Sequence, residues 1–213
     1  MNLRRTLLLF SFIFASSLAI AQPKDRWIIQ DDGAIRWNIN DNIPHDDHLE
    51  MSGQQLSVVL RYGVDAQKRF HLNRSLVFPM LRMHPNKTQN NLKQRFDVNI
   101  PALVTVDDQT LLNEEVRDVT FNGIMRVESS FGYIYRRKEL KDAVQLTRVL
   151  YPSTNAACYC EEYTFKNSSP NQITLRVPEW NVTYTTPEEA GVYGAYCIEA
   201  GLSKSGVFVL KPG

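Results

Sequence analysis

Between Pro44 and Gly53 the chain reads His45-Asp46-Asp47-His48-Leu49-Glu50-Met51-Ser52. Two imidazoles and three carboxylates are packed together. Groups this polar cost desolvation energy when buried alone, so they either face water or line a polar site. In an extended conformation Asp46, His48 and Glu50 share one side, and His45 and Asp47 take the other. A row of carboxylate, imidazole and carboxylate suits the recognition of hydroxyls. Ionised carboxylates accept hydrogen bonds, and a neutral imidazole both donates and accepts. Three ligands on one pleat converge on a metal only with help from elsewhere, so no metal is expected here. The alternative is a solvated loop whose Asp side chains cap turns.

Other residue types narrow the chemistry further. His71 alternates with Phe70 and Leu72, which puts it on the polar face of a strand, and His84 precedes Pro85 as a loop residue would. No Gly-x-Ser-x-Gly elbow surrounds any serine, and no glycine loop is arranged to cradle phosphate. Trp27, Trp37 and Trp180 are candidate stacking platforms for a sugar ring, with core packing as their competing fate. Tyr133 and Tyr135 fall on one strand face with Phe131. Glu50, Glu128 and Glu179 are carboxylates that glycosidic chemistry could use, although the required spacing between two carboxyls is a property of the fold. Glu161-Glu162 and Pro187-Glu188-Glu189 read as solvated surface. The four Asn-x-Ser/Thr sequons, at Asn73, Asn86, Asn167 and Asn181, matter only in a eukaryotic secretory route.

Cys158, Cys160 and Cys197 are the three cysteines. An odd count argues against a disulfide framework. Cys158 and Cys160 point to one face if their segment is a strand. Buried free thiols are the expectation, since cysteine packs as a small apolar residue, with a pairing of Cys197 to one of the other two in an oxidising compartment as the alternative.

Lys and Arg number 24 against 23 Asp and Glu, for a formal net charge of +1. The charges are scattered, which gives no electrostatic basis for binding nucleic acid or an anionic membrane surface. Arg4-Arg5, the apolar run Thr6–Ala15 and Ala19-Ile20-Ala21 together read as a secretion signal over residues 1–21. The apolar run is too short for a comfortable membrane span. The expectation is an exported, periplasmic or extracellular protein with no membrane association after cleavage. Residues 22–213 fit one domain by length.

The elements that must position these residues read almost wholly as strands. Arg26–Gln30 and Ala34–Ile39 flank a hairpin turn at Asp31-Asp32-Gly33. Gln55–Tyr62, Arg69–Phe78 (stopping at Pro79), Asn91–Ile100, Ala102–Val106, Val116–Phe121, Gly123–Ser130, Phe131–Arg137, Val144–Tyr151, Ala157–Lys166, Gln172–Val177, Gly194–Ala200 and Gly206–Leu210 follow. Asp107-Asp108, Asn122-Gly123 and Asn167-Ser168-Ser169-Pro170-Asn171 are turn signals. Only Asp107–Val116 and Arg137–Ala143 could hold a short helical turn. Short strands punctuated this often predict an all-β, antiparallel sandwich.

The runs Ile43–Gly53, Leu56–Tyr62, Arg69–Arg82 with Leu76-Val77-Phe78-Pro79, Asn122-Gly123-Ile124 and Leu146–Pro178 resemble the N-terminal β-supersandwich, similar to galactose mutarotase, of secreted bacterial six-hairpin glycoside hydrolases. In that family the β-domain precedes an (α/α)6 toroid that carries the catalytic acid and base. No such toroid is present in this chain. The resemblance therefore implies an incomplete, non-catalytic portion of a carbohydrate-active enzyme, with no cofactor. Its partners would be an oligosaccharide or polysaccharide and the (α/α)6 catalytic domain. His45, Asp46, Asp47, His48 and Glu50, with Trp37 and Trp180, are the expected substrate contacts. The rival readings are a stand-alone carbohydrate-binding module, a mutarotase-like epimerase using one histidine and one carboxylate, and an adhesion domain without sugar chemistry.

Overall fold

The computed structural model describes residues 25–84 and 90–213, without the side chains of 41 and 42. The expected signal over residues 1–21 and the sequon at Asn86 lie outside the described residues. Chain order runs β1 (Trp27–Ile29), β2 (Ile35–Trp37), α1 (Ile39–Asn42), β3 (His45–Ser52), β4 (Ser57–Val64), β5 (Phe70–Arg82) and β6 (Asn91–Phe96). It continues through α2 (Ile100–Leu103), β7 (Thr105–Val106), β8 (Gln109–Thr110), β9 (Leu112–Phe121), β10 (Met125–Tyr135) and β11 (Lys138–Pro152). Last come β12 (Tyr159–Asn167), β13 (Ile173–Val177), β14 (Asn181–Thr185), a 3-10 turn (Glu188–Ala190), β15 (Cys197–Gly201) and β16 (Gly206–Leu210). The fold is all-β with antiparallel pairing, consistent with a sandwich.

One large sheet organises the molecule, in the order β1-β2-β9-β10-β11-β12. Side chains alternate along its long strands. Met125, Val127, Ser129, Phe131 and Tyr133 of β10 are buried, as are Val144, Leu146, Arg148 and Leu150 of β11. A second sheet, β3-β4-β5-β6, contributes Val58, Leu60, Tyr62, Val64, Leu76 and Phe78 to a core shared with Val116, Val119, Met125, Val127 and Leu150. Each of the larger aliphatic side chains buried there contributes about 1.5–3 kcal/mol. The β14–β15 hairpin closes onto the same core with Ile198. A third sheet, β16-β13-β7-β8, makes a second core in which Val106, Ile173 and Leu175 meet Phe131, Tyr133 and Leu146. The smaller sheets thus pack against different stretches of β10 and β11. Ser129 and Arg148 fall between the two apolar clusters.

Several expectations are corrected by local geometry. The acidic stretch after Pro44 forms β3 rather than a loop, paired along its length with β4 from His45↔Val64 to Ser52↔Ser57. Neither proposed helical turn exists. Asp107 and Asp108 both have positive φ, as do Arg136 and Arg137, so these pairs are hairpin turns opening β8 and β11. Both central residues of a type I′ turn need that conformation, and here it is taken without glycine. Over Ala102–Val106 only Thr105–Val106 is strand; α2, with Pro101 near its start, takes the residues before it. Gly123–Ser130 and Phe131–Arg137 merge into the single strand β10. β5 runs past Pro79 to Arg82 through a register shift after Phe78, the kind of irregularity where proline is tolerated in a sheet.

Candidate functional site

Alternation along β3 divides the acidic segment in two. Asp46, His48 and Glu50 are exposed, while His45, Asp47 and Leu49 are half-buried. His45 meets the Trp37 ring edge-on at 5.2 Å, and its Nε2 lies 3.3 Å from Asp47 Oδ2. Asp47 Oδ1 accepts the His48 backbone N–H at 2.8 Å. Burial, with the Asp47 charge beside it, pushes the Tyr62 phenol far above its ordinary range. Asp47 and Tyr62 belong to one sheet, whereas His45 reaches across to Trp37 of β2 in the large sheet. Trp37 is 1 % exposed and offers no ring face to a ligand, which corrects its reading as a platform. Trp180 is half-buried between β13 and β14, and its carbonyl accepts the Leu202 N–H at 2.9 Å.

On the outer face, Asp46 is opposite Gly63 of β4, and Gly63 is opposite His71 of β5. Gly63 has no side chain, so Asp46 and His71 meet across the intervening strand, with Oδ1 and Nε2 2.5 Å apart. A Cβ at position 63 would overlap both groups. His48 registers with Arg61, and Arg61 with Asn73, in an exposed polar row. Glu50 lies beyond it, opposite Val59.

Two hollows among the described residues lie elsewhere. A space of about 410 Å³ is lined by Asp65, Arg69, Phe70, His71, Asn99, Pro101, Ala102, Leu111, Asn113, Glu114 and Phe131. A neighbouring hollow of about 300 Å³ shares Arg69, Asn113 and Glu114 and adds Gln67, Glu115, Gly132, Glu139, Lys141 and Asp142. The two lie where the β4–β5 turn meets β9, β10 and β11. Two irregularities in the large sheet shape this region. Register shifts between Ser130 and Gly132 against β9, and between Phe131 and Tyr133 against β11. The extra residues are Asn113-Glu114 on one side and Lys141-Asp142-Ala143 on the other, with Asn113 and Asp142 at positive φ. Bulges bend a strand and re-aim its side chains, and they concentrate beside functional sites.

The polar lining is held by ion pairs. Asp65 accepts from the Gln67 and Arg69 backbone N–H groups and from Arg69 Nε. Burial opposes ionisation of Asp65, but the hydrogen bonds and charge of Arg69 prevail and hold the carboxyl below its ordinary range. The Ser130 hydroxyl, 2.7 Å from Asp142 Oδ1, and the Arg117 guanidinium do the same for Asp142 against a smaller cost of burial. Lys68 Nζ reaches Glu115 at 2.9 Å, and Asn113 Nδ2 donates to Glu139 at 2.6 Å. Arg148, 3 % exposed, sits 2.7 Å from Glu114 Oε1, donates to Ser129 Oγ at 2.8 Å, and lies over the Phe70 ring. The result is a concave surface with fixed donors and acceptors above partly apolar walls from Phe70, Leu111 and Phe131.

Of the expected contacts, Asp46 alone touches this lining, through its bond to His71. His45, Asp47, His48, Glu50, Trp37 and Trp180 lie outside the linings of both hollows. Sequence reading missed Arg69, Asn113, Glu114 and Asp142. The available signal was Gly132 inside a long strand pattern, since glycine there marks a bulge. It also missed a buried bridge between the sheets. Arg74 of β5 pairs with Glu161 of β12 through Nε and one terminal nitrogen, Nη2, the latter at 2.8 Å, and donates to Tyr163 Oη and, from Nη1, to the Val98 carbonyl. Among the described residues no cluster of three or more His, Cys, Asp or Glu side chains assembles as metal ligands, and no helix is long and apolar enough to cross a membrane. Comparison with known proteins finds no matching family model, curated protein or solved structure.

Proposed function

We propose that this chain is a carbohydrate-binding β-sandwich, serving an exported carbohydrate-active enzyme as its non-catalytic β-domain. The hollow at the bulges of the large sheet carries the reading. Its volume falls in the range of small-molecule sites, about 300–1,000 Å³. Its wall combines amide, guanidinium and carboxylate groups, which match sugar hydroxyls, with aromatic and aliphatic surface that matches C–H faces. The Asp46–His71 pair extends the polar rim toward β3.

The same lining speaks against hydrolysis by this chain. A glycosidase acid needs a carboxyl whose proton is retained near neutrality. Asp65 and Asp142 are held in the opposite sense. Glu114 and Glu115 lie beside the cations Arg148 and Lys68 at 2.7 and 2.9 Å. The acid and base would come from an (α/α)6 partner domain.

Calorimetric titration of the chain with a panel of neutral oligosaccharides tests the reading. Millimolar or tighter binding without turnover is expected, weakened at least tenfold by Arg69→Ala or Asn99→Ala. Absence of binding across the panel would overturn it. So would robust glycoside hydrolysis by the chain alone.

A further inference from the structure

Cys158 immediately precedes β12, an edge of the large sheet, and Cys160 is the second residue of that strand. The expectation of buried thiols is corrected: Cys158 is exposed and Cys160 half-exposed. Their Sγ atoms lie 3.7 Å apart. Between them the Tyr159 ring turns inward against the main core, which fixes the two thiols on the outer face. The Cys158 carbonyl accepts the Ser153 N–H at 2.8 Å, closing the β11–β12 loop. Cys160 pairs in register with Tyr151, and the Tyr151 hydroxyl donates to Glu162 at 2.6 Å on the same face.

We infer that Cys158 and Cys160 form a redox-active dithiol that exchanges with low-molecular-weight disulfides. The sulfurs are in contact, and a bond of about 2.05 Å forms as the Cys158 segment, outside the β12 pairing, moves toward Cys160. Burial and the neighbouring Cys158 thiol, with a smaller contribution from Glu162, push the Cys160 thiol up to about 11. Cys158 is the more accessible sulfur, and thiolate exchange depends on access. Cys158 therefore attacks first.

The steps balance. The Cys158 thiol gives its proton to solvent, and the thiolate attacks one sulfur of RSSR, releasing RS⁻. Cys160 then loses its proton and attacks the Cys158 sulfur of the mixed disulfide, releasing a second RS⁻. The protein loses two electrons, and RSSR becomes two thiols. This inference is independent of the sugar-binding reading.

Oxidised glutathione is the probe, applied to the full reduced chain in buffers of graded glutathione ratio. The reactions are quenched in acid, alkylated and mapped by peptide mass. The peptide holding both residues is expected to lose two hydrogens and resist alkylation, with Cys197 outside the link. Cys160→Ser should instead accumulate a lasting glutathione adduct on Cys158, because the resolving thiol is gone. A peptide that stays doubly alkylated across the series, that carries two glutathiones, or that is cross-linked to Cys197 would overturn the inference.

Discussion

Arg74 shows how a single charged side chain in a core position holds two sheets together. It lies on the inward row of β5 between Leu72 and Leu76, and Glu161 meets it from β12. Burial works against the charged guanidinium, but the Glu161 carboxylate overrides it and keeps Arg74 charged. The Tyr163 phenol beside them is driven far up by burial and by the Glu161 charge. Removing one member strands the other, so Arg74→Met should cost about 3–5 kcal/mol in urea unfolding. Arg74→Met combined with Glu161→Leu should recover most of that loss. Two glycines make a matched contrast at the same scale. A Cβ at Gly53 would overlap the Ser153 backbone carbonyl, which cannot swing away, whereas at Gly63 it meets only the ends of Asp46 and His71. Gly53→Ala should lower the melting temperature strongly. Gly63→Ala should separate the Asp46–His71 pair with a stability change within about 1 kcal/mol.

At the scale of elements, the β4–β5 turn is the piece that carries the site. Asp65 ties it internally, and Lys68 docks it on β9 through Glu115 and through the Lys68 carbonyl, which accepts the Val116 N–H. The Asp65 carboxyl is depressed in the folded state, so the unfolded chain binds more protons in acid. Its stabilising contribution is complete above the unfolded carboxyl value of about 3.9 and is lost as pH falls through the lower folded value. The urea midpoint should therefore drop as pH is lowered below about 4, and Asp65→Asn should flatten that limb. An equally steep acid limb in the variant would assign the effect to other carboxylates. Period-two reading placed most of the strands, because alternation on a half-buried sheet is written locally in residues such as Val58, Leu60 and Tyr62. It correctly separated Asp46, His48 and Glu50 from His45 and Asp47. It could not reveal the bulges at Asn113 and Asp142, which are set by register between strands. The turn it read at Asp107-Asp108 is present, but the helical turns it allowed over Asp107–Val116 and Arg137–Ala143 are replaced by β8, β9 and β11.

The described residues form one long sheet with two four-stranded sheets and the β14–β15 hairpin packed on different stretches of it. Arg148, Ser129 and Glu114 fall between the apolar cores, where a strand pattern alone would call for apolar residues. The hollow gathers segments 65–71, 99–102, 111–115, 131–132 and 139–142, which are scattered along the chain. Such a site is invisible to motif reading, which sees the dense acidic run of β3 because its residues are adjacent. On the proposed reading, ligand recognition belongs to the bulged hollow, with β3 contributing only its rim. Backbone amide spectra recorded during titration with a bound oligosaccharide test that placement most directly. Shifts concentrated at Arg69, Asn99, Asn113 and Glu114, with His48 and Glu50 unmoved, are predicted; shifts confined to β3 and its outer face would contradict it.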